Sequence, residues 1–123
     1  MGSLNKVQLI GRLGRDPETM VTPKGNKVTN FSVAVGRRWR DSDGKVHEET
    51  DWFKVVAWKR LAKICQEYLS KGRLVYIEGR LQTDRYEVDG ETRYSTKVIA
   101  RSMQMLDAKP EERQPPAEEE DGL

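Results

Sequence analysis

The sequence predicts an all-β fold with one short helix, its five strands closed into a barrel, and three observations carry that reading. Apolar residues alternate at a period of two through 30–35 and again through 50–58, the pattern of half-buried strands. The period changes to about 3.6 only after Lys59, where Leu61, Ile64, Cys65, Tyr68 and Leu69 fall on one helical face. Gly11 and Gly79 interrupt two further apolar runs, at points where strands of a small barrel have to bend. Three strands, a helix and two strands, in that order, match the five-stranded Greek-key OB barrel, with the helix between the third and fourth strands.

The first strand covers Lys6 to Leu13, with Val7 and Leu9 on one parity. Asp16-Pro17-Glu18 and Thr22-Pro23-Lys24-Gly25-Asn26 are rich in turn formers and are expected to separate it from the second strand. There Phe31, Val33 and Val35 alternate with Asn30, Ser32 and Ala34, and Arg37, Arg38, Trp39 and Arg40 carry the strand outward. Ser42-Asp43-Gly44-Lys45 forms a solvated turn before the third strand. The helix is expected to end at Gly72 in a left-handed cap. The fourth strand runs from Arg73 to Leu81, and Asp89-Gly90, set between Tyr86 and Tyr94, is the strongest hairpin signal in the chain. A fifth strand carries Val98 and Ile99 toward Met103, Met105 and Leu106.

The third strand is the centre of the pattern. Phe53, Val55 and Ala57 share one side and Trp52, Lys54, Val56 and Trp58 the other, which places two indoles about 20 Å apart on a face that also holds a lysine. Such a face suits a partner with flat rings and negative charge. Burial in an ordinary core is the commoner fate of a strand tryptophan, and the residues of this strand leave both placements open.

Composition narrows the class of partner. At 123 residues the chain has room for one core, and it carries 22 Lys and Arg against 20 Asp and Glu. The charge is unevenly spread: 1–106 is net +7, while the stretch from Asp107 onward is net −5. A basic body points to a polyanion. The single cysteine, Cys65, rules out an intramolecular disulfide and favours a reducing compartment. With no secretory or import presequence and no apolar span, a cytoplasmic protein without membrane contact is expected.

Several short blocks, in order and at the right separations, resemble the bacterial single-stranded DNA-binding protein family. They are Asn5-Lys6-Val7, the run from Gly11 to Glu18, Trp39-Arg40-Asp41, Thr50-Asp51-Trp52, the run from Glu67 to Gly72, the run from Val75 to Gly79, and Met103-Gln104-Met105-Leu106. The resemblance spans nearly all of Leu4 to Leu106. It implies a homotetramer of OB domains, nucleoid-associated, that binds and protects single-stranded DNA in replication, recombination and repair without cofactor or catalysis. It also implies that Trp39, Trp52, Trp58 and Tyr86 are base-stacking platforms, the last two replacing other aromatics at their sites. The basic residues expected near the same face, Lys6, Arg12, Arg38, Lys54, Arg60, Lys71 and Arg85, are the candidates for phosphate contacts. Stacking on such platforms contributes ~1–3 kcal/mol per base and is largely indifferent to sequence. With the resemblance added, the ligand-facing placement of Trp52 and Trp58 is the expected one.

The tail departs from the family pattern. A disordered acidic segment is expected over 108–123, and it lacks the family's closing Ile-Pro-Phe. Glu118, Glu119, Glu120, Asp121 and Leu123 are either a solvated acidic end or a degenerate tip that recruits replication and repair proteins. Other residues point to no chemistry. His47 is expected in a loop, Cys65 in the core, and Asp41, Asp43, Glu48 and Glu49 as solvated loop charges rather than metal ligands of a nuclease. One histidine and one cysteine exclude a Cys/His zinc site within one chain. Tyr76 and Glu78 belong either to a subunit contact or to the inner barrel. A primosomal or restart adaptor built on the same fold is the main alternative function, and an OB-fold nuclease the other.

Overall fold

The structure is a computed structural model that describes residues 2–107 together with the backbone of 118–119. Its elements are β1 (Val7–Leu13), β2 (Glu18–Val21), β3 (Lys27–Arg40), β4 (Val46–Trp58), α1 (Lys59–Tyr68), β5 (Leu74–Val88), β6 (Glu91–Met105) and β7 (Glu118–Glu119). The strands form one sheet in the order β1-β5-β6-β4-β3-β2, and a second pairing of β1 with β3 closes five of them into the expected barrel. All of these pairings are antiparallel except that of β4 with β6, which meet in parallel at Val55 with Val98 and Val56 with Ile99.

The core lies inside the ring. Val33, Val55, Ala57, Val75, Ile77 and Ala100 are almost fully enclosed, each on the inward parity of its strand. Helix α1 plugs the barrel by burying Leu61, Ala62 and Cys65, with Ile64 and Tyr68 packed against the same cluster. It is pinned to β3 by the buried Thr29, whose hydroxyl donates to the Ala62 carbonyl at 2.8 Å and lies 2.8 Å from the Thr19 hydroxyl. Gly11 and Gly79 are needed for close approach rather than for turning. A Cβ on Gly11 would run into the Ala34 carbonyl, and one on Gly79 into the Ile99 carbonyl.

The structure departs from the sequence reading, or decides what it left open, at several places, among them four in the fold itself. The turn-rich segment after β1 contains β2, whose Glu18–Val21 pairs with 27–30 of β3. Turn formers bracket it on both sides, and a four-residue edge strand carries too little periodicity to be read. The helix ends at Tyr68 and is capped by Leu69, whose N–H bonds the Cys65 carbonyl, and Gly72 takes its left-handed φ of 87° in the turn that follows. Tyr76 and Glu78 point outward, because Val75 and Ile77 take the inward parity, so the inner-barrel placement is excluded. At Glu118 and Glu119 the tail runs as a strand beside Ser102 and Met103 of β6. The rest of the tail lies outside the described residues, including the candidate positions Glu120, Asp121 and Leu123. Asp89 and Gly90 both have positive φ, 51° and 80°, which is the tight hairpin turn that the Asp-Gly pair predicts.

Candidate nucleic-acid interface

The hairpin of β3 and β4 keeps a single register from Val28 opposite Trp58 to Arg40 opposite Val46, so its two faces can be read off without ambiguity. One face carries Ser32, Ala34 and Arg38 beside Lys54, Trp52 and Glu48. Trp52 is 61% exposed, and its six-membered ring lies over Gly14, where a Cβ would collide with it. Gly14 therefore makes room for the indole to lie flat along the surface. Arg15 and Ser32 border the same shallow cleft, and a neighbouring one runs past Arg15, Asp16, Glu18, Asn30 and Lys54. An exposed aromatic ring, two cations and two neutral polar side chains thus meet within a few residues of each other, with the Asp16 and Glu18 carboxylates at the far side of the second cleft.

The same face continues past Val56 to Trp58. Here the sequence reading needs adjustment, since Val56 is buried in a small second cluster with Val28 and Ile99, and Trp58 is half-buried against them. The cluster forms because the β4–β6 contact brings Ile99 beside Val56. It also links this face to the outer side of the β5–β6 hairpin. There Arg80, Gln82, Asp84 and Tyr86 alternate outward opposite Ile99, Lys97, Ser95 and Arg93. Tyr86 is exposed at the far end of that row. The outward row therefore joins Trp52, Lys54, Trp58 and Tyr86 in one path over the molecule.

Trp39 is not on that path. It has the parity of Phe31, Val33 and Val35, beyond the end of the barrel, and it stacks on His47 with ring centroids 5.3 Å apart and planes at 17°. The Arg37 guanidinium lies 5.0 Å from the Trp39 ring centroid and is itself tied to Asp51 and Glu49 at 2.8 and 2.5 Å. His47 Nε2 is 2.7 Å from Asp41 Oδ2, so the expected loop histidine is a member of a strand-end lattice. That contact first, and then the Lys45 and Asp43 N–H groups, hold the Asp41 carboxyl below its ordinary range.

The candidate phosphate contacts divide in the same way. Lys54 and Arg38 lie on the Trp52 face, Arg38 with Glu48 at 3.7 Å. Lys6 is 3.6 Å from Glu78 on the β1–β5 side, where Tyr76 donates to Glu78 at 2.9 Å. The Tyr76 hydroxyl first, and then Lys6 and Arg101, lower the Glu78 pKa. Arg12 clasps the Gly72 carbonyl at 2.9 Å and Asp107 at 3.4 Å. Lys71 sits in the loop after the helix, its N–H bonded to Asp16, and Arg60 is exposed in the first turn of α1. Arg85 has the opposite parity to Tyr86 and pairs with Tyr94. Among residues the sequence reading missed, Arg15 follows the Gly14 seat, and Arg80 and Lys97 are found by counting back in twos along the β5–β6 hairpin. Among the described residues no group of three or more His, Cys, Asp or Glu could hold a metal ion, and no helix is long and apolar enough to cross a membrane.

Residues 4–106 match the family model described as the single-strand binding protein family. The chain is 50% identical over 108 residues to single-stranded DNA-binding protein 1 of Chlorobaculum tepidum, covering 86% of this chain and 67% of that one. It is 49% identical over 105 residues to the single-stranded DNA-binding protein of Neisseria meningitidis, and spans 60% of that relative's length. Among solved structures, Plasmodium falciparum SSB in complex with ssDNA superposes with a TM-score of 0.83 at 33% identity, over 87% of this chain and 98% of that one. A deletion mutant of the single-stranded DNA binding protein from Thermus aquaticus gives 0.78 at 31% identity, over 86% of this chain and 52% of that one.

Proposed function

Because the chain belongs to the single-strand binding protein family, we propose that it binds and protects single-stranded DNA without sequence preference during replication, recombination and repair. The observation that carries this reading is the Trp52 platform, an indole held open over Gly14 with Lys54 and Arg15 beside it. Bases of any identity stack on such a ring, and the cations take the phosphates. A duplex keeps its bases stacked on each other, so the platform selects single strands. The chain acts by binding rather than by bond chemistry.

The reading extends to assembly. Ile10 is 57% exposed in the middle of β1, next to the outward Tyr76 and near Glu78, and a homotetramer would cover this apolar side chain together with the polar groups around it. The acidic end, Glu118, Glu119, Glu120, Asp121 and Leu123, is the segment through which replication and repair proteins are recruited. The setting is the cytoplasm, at the nucleoid.

Titration of intrinsic tryptophan fluorescence with oligo-thymidine and with duplex DNA of equal length tests the binding. Strong quenching by the single strand alone, weakening as salt rises, is the expected result. Equal quenching by duplex, or none by either, overturns it. Native mass spectrometry tests the assembly, and a monomer would remove the tetramer.

A further inference from the structure

The pairing of β4 with β6 stops at Val56 and Ile99, while β6 itself runs on to Met105. Past that point β5 holds one side of β6, and the other side is an open strand edge, a row of backbone donors and acceptors that can take a further strand. The chain fills this edge itself. Glu119 pairs with Ser102 and Glu118 with Met103, antiparallel, so the backbone of the tail is added to the sheet as β7.

The surroundings suit this occupant. Met103 shares a core cluster with Leu61 and Cys65, which brings α1 alongside the edge, and the exposed side of that helix carries Lys59, Arg60 and Lys63. Glu118-Glu119-Glu120-Asp121 is the longest run of acids in the sequence. Pro115 and Pro116 have no N–H to give to a ladder, so a strand that pairs through both groups begins only after them. At the root of the tail, Asp107 is 3.4 Å from Arg12 Nη1 and 3.4 Å from Arg73 Nε, and ten residues separate it from Glu118. A tether that short gives the acidic run an effective concentration on the order of millimolar at the edge, which favours it over the same run of another molecule.

We propose that the open edge of β6 beyond Ile99 is a docking site for an extended acidic strand, occupied by this chain's own tail through Glu118 and Glu119. The site is separate from the nucleic-acid face, because the outward row of β6 that runs beside Trp58 toward Tyr86 ends at Ile99. The domain therefore holds its tail and a single strand at the same time, and the acids do not stand in for phosphates on the Trp52 face. That consequence rests on the reading that the chain binds single-stranded DNA; the docking itself does not.

NMR of the full-length protein tests both. In the free protein Glu118 and Glu119 are expected to show strand-like chemical shifts and cross-strand contacts to Met103 and Ser102. Replacing both, Glu118→Pro with Glu119→Pro, removes whichever N–H faces β6 and should move the Ser102 and Met103 amide resonances while leaving those of the barrel core in place. Saturation of the wild-type protein with oligo-thymidine should leave the Glu118 and Glu119 resonances where they are. Coil-like shifts for Glu118 and Glu119 in the free protein, or Ser102 and Met103 amides unmoved by the double replacement, overturn the docking. Displacement of Glu118 and Glu119 to coil values by oligo-thymidine overturns the separate site and puts the tail on the nucleic-acid face. Cross-strand contacts found only between differently labelled copies in a mixed sample give the edge to a second copy's tail and overturn docking within one chain. If the wild-type protein does not bind oligo-thymidine at all, the single-strand function fails, and the free-protein resonances still decide the docking.

Discussion

Trp39 and Trp52 belong to the same β3–β4 hairpin and face opposite ways: Trp39 lies opposite His47 on the side that continues the core, and Trp52 lies opposite Ala34 on the outer side. A single extended strand segment crossing one face meets only one of them. Trp52→Ala is therefore expected to lower affinity for a short oligo-thymidine by roughly 5- to 150-fold, the loss of one stacked base. Trp39→Ala should leave that affinity unchanged and show its effect only on longer strands that reach round the hairpin. Titrations with oligomers of increasing length check both. Equal losses on the shortest oligomer would mean that both rings meet the same segment.

The cations should separate by face as well. Lys54 stands on the Trp52 face, whereas Lys6 is paired with Glu78 on the β1 side. Lys54→Ala should reduce the slope of log affinity against log salt by about 0.7 and weaken binding equally for thymidine and mixed sequences. Lys6→Ala should leave the slope as it was. A filter-binding or fluorescence series in salt reads both variants.

Asp41 makes the tip of the hairpin sensitive to acid. Its folded pKa is depressed below 3.8, chiefly by the contact with His47. A carboxyl of lowered folded pKa contributes stability above its unfolded value, and that contribution is lost as pH falls through the folded value. The local order around Trp39 should hold at pH 5 and fade below pH 4. An NMR titration of the Asp41 carboxyl carbon measures the pKa directly, and in His47→Ala it should move up toward 3.8. An unmoved pKa would assign the depression to the Lys45 and Asp43 N–H groups instead.

Cys65 should be chemically silent in the native protein. Burial under α1 pushes its thiol up to about 12, so the reactive thiolate is scarce at pH 8. Ellman's reagent is expected to find no thiol in buffer and one per chain in denaturant. Rapid reaction in buffer would show that the helix lifts from the barrel mouth.

Much of this was legible beforehand because the residues that make the barrel are those whose alternation is complete. Phe53, Val55 and Ala57 face inward as their parity demands, and Asp89-Gly90 forms the turn its backbone preferences dictate. The parity of Trp39 was also present in the sequence, since it follows Val33 and Val35 in steps of two, but a resemblance matched position by position does not carry the face. What could not be read depends on contacts between distant segments. Val56 looked like a surface residue until Ile99 arrived beside it, forty-three positions along the chain. Arg12 and Lys71 looked like free cations in a basic body. Only the fold shows Arg12 holding the Gly72 carbonyl and Asp107, and Lys71 in a loop tied by its backbone to Asp16.

The contact between β4 and β6 is confined to Val55 with Val98 and Val56 with Ile99, whereas the hairpins on either side pair along nearly their whole length. Mechanically the molecule is two stiff ribbons joined by that short seam on one side and by β1, which pairs with both β3 and β5, on the other, with their free ends projecting past the barrel. Bending of the projecting ends breaks none of the pairings that close the barrel, so it costs less than opening either seam. A polymer laid across both ribbons acts as a splint on those ends, and bound and free forms then differ in stiffness more than in shape.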